Sequence, residues 1–252
     1  MISGKRVIAA MLTALMAVTF TANTAVSVYA TGVTATENAQ TIDAQSTDAQ
    51  ALTPEEQKAQ ELQQVYDMPV ESNGYKDWPQ GPGTYGEAGI VMEVGTGAIL
   101  YAKNIDAHEY PASITKVLTA LVALENGQLT DNVTFSHDSV AFLQRGDSSV
   151  GLKEGNVITL DQAMHAMLLA SANEAAYAIG ESVGVNAGHD YNWFIEQMNS
   201  RCKELGGENS NFANTNGLHD PNHYTCARDM ALIGRELFKH PEFFQIVQTL
   251  NY

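Results

Sequence analysis

The sequence predicts an α+β domain that begins near Tyr85, and two patterns carry this prediction. Strand-like segments at 88–94 and 98–103 flank the turn Gly95-Thr96-Gly97, which predicts a β-hairpin. The rest of the domain consists mainly of apolar segments with helical periodicity. Because about 170 residues follow Tyr85, the chain is long enough to enclose one hydrophobic core.

The helices after the hairpin are predicted from their periodicity and from their start and stop signals. Gly127 is a typical residue just beyond the end of the first helix. Thr159 and Gln162 have the spacing of a capping box, which predicts a helix start. The predicted elements are helix 114–124, strand 132–136, loop 142–154, and helices 160–169, 174–183, 191–205 and 229–238.

Two different segments precede the domain. Residues 1–30 resemble a secretory signal peptide, with Lys5 and Arg6 before an apolar run and a small-residue cleavage site ending at Ala30. The alternative is a membrane anchor, but the apolar run is shorter than the roughly 20 residues of a membrane-spanning helix. Residues 31–60 are polar and acidic with almost no large apolar side chains, although the stretch 54–64 is compatible with a transient helix. Residues 67–84 contain three prolines and several glycines, so 31–84 as a whole predicts a disordered tether.

The charge and the cysteines limit the classes of partner. The formal net charge is −16, and it becomes about −18 once Lys5 and Arg6 are removed with the signal peptide. Such a chain repels phosphate backbones and anionic lipids, so we expect no nucleic-acid partner. Cys202 and Cys226 either pair or stay free, and because neither has the neighbours of a metal cluster we expect no metal and no cofactor.

The clearest chemical pattern is Ser113-Ile-Thr-Lys116 at the start of the first helix. A serine and a lysine three residues apart share one face of a helix, which places a hydroxyl nucleophile beside an amine base. The following residues are nearly all apolar, so burial should lower the pKa of Lys116 toward neutrality. The alternative is a helix-capping Ser113 and a Lys116 that extends to solvent. Ser200 and Lys203 have the same spacing on a charged helix and are interpreted as surface residues.

A second pattern, Ser171-Ala-Asn173, lies 58 residues after Ser113 and between two apolar helices. In a catalytic interpretation, Ser171 relays a proton from Lys116 to the leaving amine. Asn173 then hydrogen-bonds the lysine and the amide of the substrate. The alternative is that Ser171 or Asn173 only caps the helix that follows.

These motifs resemble those of the exported D-alanyl-D-alanine carboxypeptidases, the low-molecular-mass penicillin-binding proteins of the S11 serine peptidase family. The similar segments are 111–120, 168–176 and 214–231, and the resemblance extends from about Gly86 to Phe244. It implies an antiparallel sheet flanked by a helical cluster. It also implies that Ser113 attacks the bond between the terminal D-alanines of a peptidoglycan stem peptide, with Lys116 as base and Ser171 as proton donor. β-Lactams are then acylating inhibitors, and the location is the cell wall or the outer face of the cytoplasmic membrane.

The sequence departs from the family in one respect, because the Lys-Thr-Gly strand of the third family motif is absent from these 252 residues. In the family this strand binds the terminal carboxylate of the substrate. We therefore expect a C-terminally truncated, inactive form in which 85–252 is a partial domain. Any contact with a membrane surface would then depend on a missing C-terminal region.

Two rival functions are weaker. A serine β-lactamase shares both motifs, but its commonest class needs a glutamate that activates water, and Glu208 lacks the sequence context. A non-catalytic cell-wall protein on the same scaffold is the other rival. His219 and His223 are four residues apart, but Pro221 between them makes a helical metal-binding pair unfavourable.

Overall fold

The structure, a computed structural model, describes residues 52–252, so the predicted signal peptide and most of the first half of the predicted tether lie outside it. Within this range the fold is α+β, as predicted, with eight helices and two small antiparallel sheets. The elements are α1 (Pro54–Tyr66), β1 (Gly89–Met92), β2 (Ile99–Lys103), α2 (Thr115–Asn126), β3 (Asn132–Thr134), α3 (His137–Ala141), β4 (Val157–Thr159), α4 (Leu160–Leu169), α5 (Asn173–Asn186), α6 (Tyr191–Glu204), α7 (Ala227–Leu237) and α8 (Pro241–Val247).

The predicted hairpin is present as β1 and β2. The two strands pair with Gly89 opposite Lys103, and the register shifts after Val91. The connecting turn is closed by Glu93, whose carboxylate accepts hydrogen bonds from the backbone N–H groups of Gly95 and Thr96. These three bonds, with the Thr96 hydroxyl as the third donor, lower the pKa of Glu93 to about 2.

The prediction of a disordered tether up to residue 84 is wrong for its second half. Residues 54–66 form α1, and the segment that follows lies along the outer edge of β2. There the Ser72 hydroxyl accepts a hydrogen bond from the Ala102 N–H, and the Trp78 indole donates to the Leu100 carbonyl.

Lys103 also holds this segment. Its side chain is fully buried and donates to the backbone carbonyls of Val65 and Thr84. Because these contacts are polar, the apolar content of the segment gave no indication of them. The segment covers an exposed strand edge that would otherwise be free to pair with another chain.

The helices form the hydrophobic core around α2. This helix packs against α4, α5, α6 and α7, and its residues Leu118, Ala120 and Leu121 are fully buried. Helix α4 has the predicted bounds, and Thr159 and Gln162 form the predicted capping box. The second sheet pairs β3 with β4, and β4 was not predicted. Helices α3 and α8 were not predicted either.

Candidate active site

Ser113 lies in a single 3₁₀ turn, Ala112–Ile114, which leads directly into α2. The preceding Ala112 has a left-handed backbone with φ of +47°, a conformation that is unfavourable for a residue with a side chain. Ser113 itself is exposed, whereas Thr115 and Lys116 in the first turn of α2 are buried. Because the Ser113 side chain caps neither helical segment, the capping alternative is wrong for this residue.

Lys116 is buried and makes three hydrogen bonds, so the alternative of a solvent-extended lysine is also wrong. Its Nζ lies 3.1 Å from Ser113 Oγ, 2.8 Å from Asn173 Oδ1 and 2.7 Å from the backbone carbonyl oxygen of Asn216. Two of these partners are carbonyl oxygens, which only accept hydrogen bonds. When the amine is neutral, its two N–H groups satisfy these oxygens and its lone pair points toward the Ser113 hydroxyl.

Burial makes the neutral amine accessible near physiological pH. It lowers the pKa of Lys116 from 10.5 to about 8, and the negative charge of Glu174 partly opposes this effect. At pH 7 about a tenth of the Lys116 side chains is therefore deprotonated. The sequence-based expectation of a lowered lysine pKa agrees with this environment in direction and in cause.

Ser171 and Asn173 approach the same pair from the junction of α4 and α5. The Ser171 hydroxyl donates to Ser113 Oγ over 3.0 Å, and Ser171 has a left-handed φ of +56°. Asn173 is the first residue of α5 and is buried against Lys116. Because the N-cap of α5 is Ala172, without a side-chain hydrogen bond, neither Ser171 nor Asn173 serves as the cap.

A turn at 214–218 supplies contacts that the sequence did not reveal. Gly217 has φ of +86°, and a Cβ built on it would lie 1.8 Å from the Ala112 carbonyl oxygen. The side chain of Asn214 accepts a hydrogen bond from the Gly217 N–H, which closes the turn. The turn thus packs tightly against Ala112, the residue before Ser113, while its Asn216 carbonyl accepts a hydrogen bond from Lys116. The sequence marked this turn only as part of the family-like segment 214–231, because the group that reaches Lys116 is a backbone carbonyl.

The two histidines considered for metal binding have separate environments. His223 is buried, accepts a hydrogen bond from the Ala213 N–H on Nδ1, and lies 2.8 Å from Thr115 Oγ1 through Nε2. Burial lowers the pKa of His223 to about 4, so the ring is neutral and its Nε2–H donates to Thr115. His219 instead contacts the ring of Tyr110 edge-on.

The remaining candidates from the sequence are not part of this cluster. Glu208 is exposed in the turn after α6, and none of the hydrogen bonds around Ser113 in the described chain involves it. Ser200 and Lys203 are exposed on α6, as their interpretation as surface residues predicted. Cys202 and Cys226 are buried and free.

An α+β domain with a buried lysine hydrogen-bonded to an exposed serine at the start of its central helix has the architecture of a Ser–Lys hydrolase. The model of the peptidase S11 family, D-alanyl-D-alanine carboxypeptidase, matches residues 79–251. The chain therefore belongs to this family. The match starts before Tyr85, in agreement with the ordered segment upstream of β1.

Similar proteins carry carboxypeptidase and transpeptidase names. The chain is 33% identical over 169 residues to D-alanyl-D-alanine carboxypeptidase DacA of Haemophilus influenzae, covering 65% of the chain and 42% of the relative. It is 32% identical over 168 residues to D-alanyl-D-alanine carboxypeptidase DacF of Bacillus subtilis, covering 65% of the chain and 41% of that relative. The chain thus spans about two fifths of the length of these curated relatives.

Solved structures agree in fold. Penicillin-binding protein 5 from Haemophilus influenzae superposes with a TM-score of 0.60 at 32% identity, covering 67% of this chain and 49% of the other. The Streptomyces K15 DD-transpeptidase gives a TM-score of 0.58 at 29% identity, covering 64% of this chain and 63% of the other. Among residues 52–252, none of the helices has the length and apolar character needed to span a bilayer.

Proposed function

We propose that this chain is the larger part of the catalytic domain of a serine-type D-alanyl-D-alanine carboxypeptidase that acts through a Ser113 acyl-enzyme. The observation that carries the proposal is the position of Lys116 Nζ, 3.1 Å from Ser113 Oγ and fixed by two carbonyl oxygens. This geometry aims the base of a Ser–Lys pair at its nucleophile. Membership of the peptidase S11 family supports the choice of reaction.

In the proposed reaction, Lys116 takes the proton of the Ser113 hydroxyl as Ser113 Oγ bonds to the carbonyl carbon between the two terminal D-alanines. The tetrahedral intermediate collapses when the C–N bond breaks, and the leaving amine of D-alanine receives the proton from Lys116 through the Ser171 hydroxyl. The Ser171 hydroxyl lies 3.0 Å from Ser113 Oγ, which supports its proposed place beside the bond that breaks. Water then hydrolyses the ester and releases the shortened peptide and free Ser113. Asn173 orients Lys116 and hydrogen-bonds the amide of the substrate.

The proposed substrates are peptidoglycan stem peptides that end in D-Ala-D-Ala, and the proposed inhibitors are β-lactams, which acylate the same serine. The relatives' names support both assignments. Because the substrate is a cell-wall polymer, the proposed location is outside the cytoplasm. The signal-like sequence at 1–30 supports this location.

The 252 residues contain no Lys-Thr-Gly motif, and within the described range β1 pairs only with β2. We propose that this chain by itself is not acylated efficiently, because the third family motif would contribute a wall of the site. The test is incubation of the purified chain with a fluorescent penicillin, followed by mass analysis of Ser113. Stoichiometric labelling would contradict the proposed inactivity.

The carboxypeptidase proposal has a separate test. The DNA downstream of codon 252 is sequenced, and the chain is expressed together with any in-frame extension that carries Lys-Thr-Gly. We expect this protein to release D-alanine from a peptide ending in D-Ala-D-Ala and to bind penicillin stably at Ser113. The Ser113→Ala variant should do neither. Rapid turnover of penicillin would instead favour a β-lactamase, and an absence of both reactions would favour a non-catalytic protein.

A further inference from the structure

Glu174 is a buried carboxylate beside the Ser113 cluster, and the proposed reaction assigns it no role. The residue is fully buried as the second residue of α5. Its Oε1 accepts hydrogen bonds from the Ser149 hydroxyl at 2.7 Å, the Val150 N–H at 2.8 Å and the Gly151 N–H at 3.2 Å. Its Oε2 has no hydrogen-bond partner among residues 52–252. A buried charge is costly unless a nearby opposite charge or further hydrogen bonds compensate it.

Asn173, the residue before Glu174, links the loop 148–151 to Lys116. The Asn173 N–H donates to the Ser148 carbonyl over 2.9 Å, while Asn173 Oδ1 accepts from Lys116. The first two residues of α5 therefore bind the loop 148–151 through the Asn173 N–H and the Glu174 carboxylate. The Asn173 side chain also binds Lys116.

Glu174 directly follows Asn173, which binds Lys116, and all three side chains are buried where α5 begins beside the first turn of α2. Its negative charge opposes the effect of burial on the pKa of Lys116, and burial is the larger of the two effects. His223 reaches the same turn of α2 through Thr115 but is neutral above pH 4. Other ionisable groups on the helices packed against α2 have other partners: Tyr191 of α6 with Thr215, Asp229 of α7 with Ser210, and His165 of α4 with the Asp161 carbonyl. Arg201 of α6 pairs with Glu125, which lies in the last turn of α2, whereas Lys116 lies in the first.

We propose that Glu174 is a positioning residue of the Ser113–Lys116 site, which anchors the loop 148–151 beside the site and supplies the counter-charge for the protonated form of Lys116. The role of Glu174 in catalysis rests on the proposed function, in which Lys116 becomes an ammonium when it takes the Ser113 proton. Without a nearby negative charge this ammonium would be isolated in a buried site. The lysine would then be a weaker base and would accept the serine proton less readily.

Two variants of Glu174 separate its two roles. Glu174→Gln keeps an acceptor for the loop and removes the charge. Glu174→Asp keeps the charge and withdraws the carboxylate from the loop by one methylene. Glu181→Gln is the matched control on the same helix, because the Glu181 carboxylate accepts from the Ser136 hydroxyl and does not contribute to the pKa of Lys116.

The direct measurement is the titration of the Lys116 ε-methylene by NMR on the ¹³C-lysine-labelled chain, with the signal assigned through Lys116→Arg. The unsubstituted chain should titrate at about 8. For Glu174→Gln we expect the proton affinity of Lys116 to fall by about three- to tenfold. Amide exchange at Val150 and Gly151 should stay slow in that variant. Glu174→Asp should accelerate amide exchange at these residues and leave the Lys116 titration nearly unchanged, and Glu181→Gln should alter neither.

An unchanged Lys116 titration in Glu174→Gln would overturn the counter-charge role, and unchanged exchange in Glu174→Asp would overturn the anchoring role. Neither readout depends on enzymatic activity. If the titration shifts as expected while the extended protein fails to release D-alanine, the proposed function is wrong and the positioning role stands. In an active extended protein, the acidic limb of the penicillin-acylation pH profile should move to lower pH in Glu174→Gln only.

Discussion

Gly217→Ala is the substitution with the most sharply defined consequence in this structure. Gly217 has φ of +86°, and a Cβ there would lie 1.8 Å from the Ala112 carbonyl oxygen and 2.3 Å from its carbon. Ordinary contacts between such atoms exceed 3 Å, so either the turn at 214–218 or the segment before Ser113 must move by more than an ångström. Both segments are held in place, the first by Asn214 and the second by the burial of Thr115.

Two effects add to the cost of this substitution. The left-handed backbone alone costs an alanine about 1 kcal/mol relative to glycine. The collision with backbone atoms adds about 1–3 kcal/mol, the usual range for overpacking in a tightly packed region. We therefore expect Gly217→Ala to lower the free energy of unfolding by about 2–4 kcal/mol, a large fraction of the stability of a typical domain.

Urea unfolding followed by circular dichroism measures this change, and Gly188→Ala is its matched control. Gly188 also has a left-handed backbone, with φ of +81°, but nothing lies within 4 Å of the position of its Cβ. Gly188→Ala should therefore cost only about 1 kcal/mol. Because the Asn216 carbonyl moves with the turn, the NMR titration of Lys116 should also change in Gly217→Ala and not in Gly188→Ala. Equal destabilisation by the two substitutions would refute the close-approach argument.

Two other residues give independent predictions. Burial lowers the pKa of His223 to about 4 against 6.5 in the unfolded chain, so its contribution to stability is complete above pH 6.5 and is lost as the pH falls toward 4. Between pH 7.5 and pH 5 the free energy of unfolding should fall by about 2 kcal/mol because of His223. Urea unfolding at the two pH values should therefore show a smaller fall in His223→Gln than in the unsubstituted chain. Lys103→Met removes the donor to the Val65 and Thr84 carbonyls, so amide exchange in residues 65–84 should accelerate about tenfold or more while α2 stays protected. Equal amide-exchange rates at residues 65–84 in Lys103→Met and in the unsubstituted chain would contradict the role of Lys103 as the anchor.

The sequence predicted the long helices well because their signals are local. Helix α4 has the predicted bounds, and α2 ends two residues beyond the prediction. Strand β4 has only three residues, too few for a periodic pattern, and it forms because β3 lies beside it. The segment before β1 was mispredicted for a different reason. It is held by polar side chains and backbone groups along the edge of β2. Amino-acid composition indicates how much apolar surface a segment can bury, and it does not reveal polar contacts of this kind.

The sequence likewise predicted only part of the candidate site. Ser113, Lys116, Ser171 and Asn173 were found as side chains with a chemical pattern, and the structure places all four in one hydrogen-bonded cluster. The Asn216 carbonyl was missed because every residue has the same backbone carbonyl, so no residue type marks it. Glu174 was interpreted only as the start of a helix, because its burial depends on a loop more than twenty residues away.

Two strained residues lie beside Ser113. Of the four residues other than glycine that have a positive φ in the described chain, Asp77 and Asn104 are of types that tolerate this conformation. The other two, Ala112 and Ser171, each lie within one residue or one hydrogen bond of Ser113. Such conformations cost about 1–3 kcal/mol each and persist only where the surrounding packing fixes them. Here that packing comes from the buried first turn of α2 and from the junction of α4 and α5. Substitutions that loosen this core should therefore relax the two strained residues and separate the Ser113, Lys116 and Ser171 side chains before the domain as a whole unfolds.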